Sequence, residues 1–276
     1  MGEEEHVLLI RDFFSDQRRF QYIKTLSGGA SGYCVCFREV FTEGLSRRFV
    51  VKCPNDDEDD VVAGIRNEIQ SLHALQHAEH IVDVLTISDN PLEPDRQGQG
   101  GLHIPFIILE YVENGTLELF IQRIGGAILP NRFLWRLFLC MVRACVAMAY
   151  PPAQGRKEET VASAQPSALV HWDMHNRNFM FGAILGNYQE HLLVPILKLI
   201  DFDISAMKTS EEVVNVEVKE KFDDELELDR YRTIGQSSVA TCINLLDVGQ
   251  ASHLNEINGK GVSPPTSKSF ANLSRQ

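Results

Sequence analysis

Two short polar motifs, separated by an apolar segment, constrain this chain more than any other feature. H-W-D-M-H-N-R-N occupies residues 171–178, and D-F-D occupies residues 201–203. Together they supply two carboxylates, Asp173 and Asp201, and one amide, Asn178. Phosphoryl transfer needs such groups, because a residue must orient a hydroxyl and oxygen atoms must hold Mg²⁺. Either motif alone could be a chance match or a turn, but their order, with a strand-like segment between them, favours the functional interpretation.

A glycine-rich segment lies upstream, at residues 25–36 (T-L-S-G-G-A-S-G-Y-C-V-C). Its pattern predicts a strand, a turn and a second strand. Gly28, Gly29 and Gly32 would let the backbone approach phosphate oxygens without a Cβ in the way. Gly29 and Gly32 match the pattern G-x-G-x-x-G-x-V, whereas Ser27 replaces its first glycine. Taken alone, the segment fits a phosphate-binding turn and a plain hairpin equally well.

The next apolar strand ends in a cation, Lys52, which by itself would indicate only a solvated side chain. Apolar residues then recur at spacings of three and four between residues 61 and 75, which predicts an amphipathic helix. Asn55 and the acidic residues at 56–60 favour the start of that helix through capping and charge. Glu68 lies beside the apolar stripe. We therefore predict that it pairs with Lys52, the alternative being a surface glutamate.

A further apolar strand leads through Glu110 towards a helix that begins near Thr116. With this hinge-like segment, residues from about 20 to 205 resemble the protein-kinase-like superfamily, since their motifs follow one another in that family's order. The resemblance implies an α+β, two-lobed protein-kinase-like fold. Its antiparallel β N-lobe, with one αC helix, would span about 15–110, and its mostly helical C-lobe about 113–258.

The resemblance also implies a role for each polar residue, with ATP and Mg²⁺ as cofactors. Asp173 would orient or deprotonate the acceptor hydroxyl, and Asn178 and Asp201 would hold Mg²⁺. Lys52, clamped by Glu68, would hold the α and β phosphates beneath the glycine-rich segment.

Other residues would contact the adenine or support the loop. The backbone of Glu110 and Val112 would hydrogen-bond adenine, with Leu109 as the gatekeeper. His175 would contact the γ phosphate or pack as a neutral histidine. His171 would support the loop backbone.

Three positions depart from the protein-kinase pattern. Trp172 replaces the Arg of H-R-D, so it offers no charge to an activation-loop phosphate. We therefore expect activity that is constitutive or set by a regulatory protein partner. His175 and Asp203 are similar to residues of the aminoglycoside and choline phosphotransferases, whereas the hinge and N-lobe look more like protein kinases. The whole pattern also resembles divergent kinase-like domains of the fungal type.

Three functions remain open at this stage. A Ser/Thr-type protein kinase is favoured by the hinge and N-lobe, and a small-molecule kinase by His175 and Asp203. A pseudokinase that acts as a binding module is favoured by the 73 residues (276 minus 203) that follow Asp203, which predict a truncated C-lobe. The acceptor would be a hydroxyl of a protein or of a small molecule. Residues 259–276 are predicted to be a disordered tail.

Composition excludes several classes of protein. The net charge of -12 and pI near 5.2 leave no broad basic surface for nucleic acid or for an anionic membrane. Six cysteines without C-x-x-C spacing, and a start without a signal peptide, predict reduced thiols and a cytoplasmic protein. The apolar stretch at 133–149 contains Arg136 and Arg143, which predicts a buried helix rather than a membrane span. Residues 153–168 are predicted to be an exposed insert, and 89–101 a loop.

Overall fold

The structure, a computed structural model, describes residues 3–15, 18–29, 32–41, 44–55, 58–86, 105–152, 158–186 and 189–207. Within these ranges the fold is mixed α+β, with four α-helices and a four-stranded antiparallel sheet. This architecture is compatible with the N-lobe that the sequence predicts. The predictions for residues 208–276 and for the 89–101 loop lie outside the described residues.

The elements follow one another in a simple order. They are α1 (Glu3–Ser15), β1 (Phe20–Gly29), β2 (Gly32–Val40), β3 (Ser46–Cys53), α2 (Asp59–Ala74), β4 (Ile107–Glu110), α3 (Leu117–Ile124), α4 (Asn131–Ala149), β5 (Leu169–Val170), β6 (Phe179–Phe181), a 3-10 turn (Gln189–His191), β7 (Leu197–Leu199) and β8 (Ala206–Met207). The large sheet has the order β1-β2-β3-β4. β5 pairs with β8, and β6 pairs with β7, both antiparallel.

The first helix, α1, was not predicted from the sequence, which indicated a single helix beside the sheet. Its buried side chains, Ile10 and Phe14, are spaced four apart and so share one helix face. The ring of Phe14 lies 4.7 Å from that of Phe37 and 5.3 Å from that of Phe20, between ring centroids. Both partners belong to the large sheet. α1 therefore contributes to a separate aromatic core on that sheet.

The second helix, α2, forms where the apolar spacing predicts it. Asp59 and Asp60 lie in its first turn, where carboxylates interact favourably with the helix dipole. The N-cap residue, Glu58, makes no side-chain capping bond. Ile65 and Leu72 are buried on one face of the helix, and this face carries Glu68 towards the sheet.

A second core lies between α4, the β6–β7 hairpin and the end of α2. Leu137 and Ala144 of α4 are fully buried in it, while Arg143 leaves the core to pair with Glu190 at 2.8 Å. None of the helices that the structure describes is both long enough and apolar enough to cross a membrane. Among the same residues, no disulfide joins any of the five cysteines: Cys34, Cys36, Cys53, Cys140 and Cys145.

The predicted exposed insert at 153–168 is exposed only in part. Within its described residues, 158–168, Glu158 and the positions after 159 are mostly exposed, but Glu159 retains only 1% of its accessible surface. The prediction was therefore wrong at Glu159. Its carboxylate turns inward because the main chain and ring of His80 both donate to it, which compensates for its burial.

Candidate active site

The strand register brings the glycine-rich hairpin next to Lys52. Gly29 pairs with Gly32 across the β1–β2 turn, and Cys34, two residues further on, pairs with Lys52 of β3. A Cβ added to Gly32 would lie 2.3 Å from the carbonyl oxygen of Cys53. Because real Cβ atoms do not approach backbone oxygen so closely, only glycine fits there. The hairpin tip, which also includes Gly28, thus lies at the Lys52 end of the sheet.

Lys52 joins two carboxylates that are distant in sequence. Its Nζ lies 2.5 Å from Oε2 of Glu68 and 2.5 Å from Oδ1 of Asp201. Lys52 is 7% exposed and Glu68 1% exposed, so little water screens the contacts. Burial alone would lower the pKa of Lys52, but the two carboxylates outweigh it and hold that pKa well above its usual range. The ammonium group therefore stays charged.

Side chains of helix α2 also bind the backbone of the D-F-D segment. The side-chain amide of Asn67 donates to the carbonyl oxygens of Asp203, at 2.9 Å, and Ser205, at 2.6 Å. Oε1 of Glu68 accepts a longer bond from the Phe202 N–H, at 3.4 Å. Asn67 was missed in the sequence reasoning; its only signal is its position beside Glu68 at the edge of the apolar stripe.

Phe202 and His171 pack together in the interior, beneath the two motifs at residues 171–178 and 201–203. Phe202 is fully buried, and its ring meets the His171 ring edge-on at 4.5 Å. Nε2 of His171 lies 3.0 Å from the carbonyl oxygen of Ile200, and Nδ1 accepts from the Asp173 N–H at 3.2 Å. Because a carbonyl only accepts, Nε2 carries the proton of a neutral ring. Burial lowers the pKa of His171, which agrees with a neutral ring.

The carboxylate of Asp173 is oriented by two neighbours. Nδ2 of Asn178 donates to Oδ2 at 2.9 Å, and Nε2 of His175 lies 3.2 Å from the same oxygen. Nδ1 of His175 accepts from the Arg177 N–H at 3.2 Å, so a neutral His175 donates from Nε2. In the described part of the chain both contacts go to Oδ2. Oδ1 is then the oxygen that could accept a proton from a hydroxyl.

The β6–β7 hairpin sets Asn178 beside Asp201. The Ile200 N–H donates to the Asn178 carbonyl oxygen at 2.9 Å. Asp201 is the residue that follows Ile200, so this hydrogen bond holds it close to Asn178. The amide nitrogen of Asn178 is committed to Asp173, which leaves its Oδ1 for other ligands. This amide oxygen and the Asp201 carboxylate are the hard donors that Mg²⁺ prefers, so the donor set fits that ion.

Two residues of this region have positive backbone φ angles, Trp172 at 65° and Asp201 at 70°. Non-glycine residues adopt this conformation only where the surroundings enforce it, and such positions cluster at functional sites. Asp201 is itself one of the candidate groups, and Trp172 directly precedes Asp173.

Glu110, which the sequence analysis predicts to lie in a hinge, is held by contacts that the sequence did not predict. The Glu110 N–H donates to the Asp83 carbonyl oxygen at 2.9 Å, and the Glu110 carboxylate accepts from the Asp83 N–H and from Lys198. An adenine contact from the Glu110 backbone would therefore fall to its carbonyl oxygen. Val112, two residues further on, has its side chain in the core.

No protein-family model matches this chain, and no curated protein matches it at a significant level.

Proposed function

We propose that this chain is an ATP-dependent phosphotransferase with a two-lobed, protein-kinase-like fold, and that it phosphorylates Ser/Thr hydroxyls of proteins. The observation that carries the proposal is the double contact of Lys52 with Glu68 and Asp201. A buried cation shared by a helix and a distant loop costs desolvation free energy. Such an arrangement is typical of a phosphate site, where the cation later meets the nucleotide.

Each group has a defined task in the proposed reaction. Lys52, held by Glu68, binds the α and β phosphates, and the glycine-rich hairpin covers them. Asn178 and Asp201 would hold Mg²⁺, which would supply positive charge to the transferring phosphates. Oδ1 of Asp173 accepts the proton of the acceptor hydroxyl.

The bond changes balance without any other reactant. The acceptor oxygen forms a bond to the γ phosphorus, the bond from that phosphorus to the β–γ bridging oxygen breaks, and ADP leaves. The hydroxyl proton moves to Asp173, whose other oxygen is held by Asn178 and His175. Both neighbours fix the geometry of the carboxylate, which raises the rate by orientation.

A small-molecule hydroxyl is the second candidate acceptor, and one contact favours it. His175, two residues after Asp173, lies 3.2 Å from its carboxylate, and a histidine at this position is similar to the aminoglycoside and choline phosphotransferases. In this alternative the nucleotide site is unchanged and only the acceptor differs.

Two measurements test the proposal. Thermal unfolding with and without Mg-ATP measures binding, and nucleotide at 100 times its dissociation constant should stabilise the fold by ~2.7 kcal/mol.

Labelled ATP, incubated with a generic protein substrate and with a panel of small alcohols, then identifies the acceptor. Label on protein supports the proposal, and label on an alcohol supports the second candidate. Nucleotide binding without transfer would indicate a pseudokinase, and no binding by folded protein would contradict the nucleotide site itself.

A further inference from the structure

Three potential metal ligands meet in the second core, away from the residues discussed above. His80 lies after α2, Cys140 lies on α4, and His191 ends the 3-10 turn. All three are buried, and their ligand atoms lie within 4.8 Å of one another. Nε2 of His80 and Nε2 of His191 face each other at 3.2 Å. No sequence pattern predicts this group, because its members are spread over more than a hundred residues without a recognisable spacing.

A buried carboxylate fixes the orientation of His80. Oε2 of Glu159 lies 2.9 Å from Nδ1 of His80, and Oε1 accepts from the His80 N–H at 2.7 Å. A carboxylate at the far nitrogen keeps the proton on Nδ1, so Nε2 presents its lone pair to His191 and Cys140. This carboxylate–histidine pair is the outer-shell arrangement found behind metal-bound histidines.

The second imidazole has no satisfactory arrangement without a cation. Among the described residues, the buried Nδ1 of His191 has no hydrogen-bond partner. If Nδ1 carries the proton, the two Nε2 lone pairs face each other. If Nε2 carries it, Nδ1 becomes a buried acceptor without a donor, which costs free energy. A cation between the rings would remove the repulsion in the first arrangement.

We propose that His80, Cys140 and His191 bind a Zn²⁺ ion, with Glu159 as the carboxylate that orients His80. Two imidazoles and one thiolate suit Zn²⁺ better than the hard cations Mg²⁺ or Ca²⁺. With Zn–N distances of about 2.0–2.1 Å, two nitrogens of a tetrahedral site lie about 3.3 Å apart, close to the 3.2 Å between the rings. One thiolate and the Glu159 carboxylate balance the charge of the ion.

The position of the site suggests a structural role. The carbonyl oxygen of His80 accepts from the Leu199 N–H at 2.8 Å, and β7, to which Leu199 belongs, leads directly to Asp201. The ion would thus cross-link the segment after α2 to α4 and to the 3-10 turn, behind the proposed active site. The three side chains leave a fourth position for water or another small ligand.

Cobalt substitution in the full chain tests the proposal. The purified protein is stripped with a chelator, titrated with Co²⁺, and then titrated with Zn²⁺, while bound metal is measured by elemental analysis. We expect one equivalent of Co²⁺, a thiolate-to-cobalt charge-transfer band, and loss of that band as Zn²⁺ displaces Co²⁺. Folded wild-type protein without the band would overturn the proposal, whatever the variants do.

Variants identify which side chains bind the metal and give rise to the charge-transfer band. Cys140→Ser should abolish it, and Cys145→Ser, on the exposed side of the same helix, should retain it. Glu159→Gln should weaken metal binding about 10–100-fold, as expected for an outer-shell partner. His191→Gln provides a second ligand variant in case Cys140→Ser does not fold. Equal metal binding by folded His191→Gln and wild type, or loss of the band in Cys145→Ser, would overturn the assignment.

Discussion

The side-chain amide of Asn67 donates a hydrogen bond to the carbonyl oxygen of Ser205 across 138 residues of sequence, at 2.6 Å. Asn67 precedes Glu68 on α2, and Ser205 follows the D-F-D segment by two positions. The hydroxyls of Ser71 and Ser205 also lie 2.9 Å apart. The helix that carries the partner of Lys52 therefore holds the backbone that carries Asp201.

Asn67→Ala should weaken this attachment. Removing the amide leaves partly buried carbonyl oxygens without their donor, so we expect a loss of about 1–3 kcal/mol in the free energy of unfolding and weaker Mg-ATP binding. Gln70→Ala, on the exposed side of α2, should change stability by less than about 0.5 kcal/mol. Chemical denaturation and nucleotide titration measure the two effects. Equal effects of the two variants would mean that the Asn67 contacts contribute little.

Lys52→Met should destabilise the fold as well as abolish nucleotide binding. The substitution leaves Glu68 buried beside Asp201 without a cation, and breaking a buried pair in this way costs about 3–5 kcal/mol. Adding Glu68→Gln to Lys52→Met should restore part of the stability, because the amide carries no charge. Lys24→Met, at an exposed position of β1, is the control. Denaturant unfolding of the wild type, the two single variants and the double variant measures these stabilities. A double variant less stable than Lys52→Met would refute the explanation.

Two glycine-to-alanine substitutions should act in opposite directions. The new Cβ of Gly32→Ala would meet the Cys53 carbonyl oxygen at 2.3 Å, so the β2–β3 contact must shift and stability must fall. The Cβ of Gly64→Ala, inside α2, meets its nearest atom, Cβ of Asp203, at an ordinary 3.6 Å. That variant should gain about 0.5–1 kcal/mol from the helix preference of alanine. Melting temperatures of both variants test the prediction, and a stabilised Gly32→Ala would show that the strands can separate there freely.

His171 should make stability depend on pH. Burial lowers its pKa below the ordinary value of 6.5, so the folded state binds fewer protons than the unfolded chain as pH falls. The stability from the neutral ring is complete above pH 6.5 and is lost progressively below it. His171→Asn, which cannot titrate, should lose less stability than wild type between about pH 7.5 and pH 5. Parallel curves of melting temperature against pH for the two proteins would contradict this.

The sequence predicted the site best where a charged residue lies beside a periodic run of apolar residues. The stripe that predicted α2 depends on repeated apolar residues, and Glu68 could be paired with Lys52 because an acidic side chain beside that stripe can reach the adjacent strand. The strand-like segment predicted between the two polar motifs is present as β7. These inferences need only local pattern and charge.

The contacts that were missed depend on tertiary packing. α1 begins with acidic residues that conceal the short apolar stripe of Ile10 and Phe14, and the stripe gains meaning only against the aromatic rings of the sheet. Glu159 stands in a polar segment whose composition predicts exposure, and only its meeting with His80 explains its burial. Single polar residues such as Asn67 give no periodic signal at all.

The most direct test of the central claim compares Asp173→Asn with Asp201→Asn and wild type. Asp173 is assigned to the acceptor hydroxyl, so Asp173→Asn should lose most turnover of labelled ATP while its ATP affinity stays near that of wild type. Asp201→Asn should also weaken Mg²⁺-dependent nucleotide binding, because it replaces an anionic carboxylate by a neutral amide. Calorimetric titration with Mg-ATP and label transfer are measured on the same samples. Wild-type turnover in Asp173→Asn, or unchanged Mg²⁺-dependent binding in Asp201→Asn, would contradict the proposed roles.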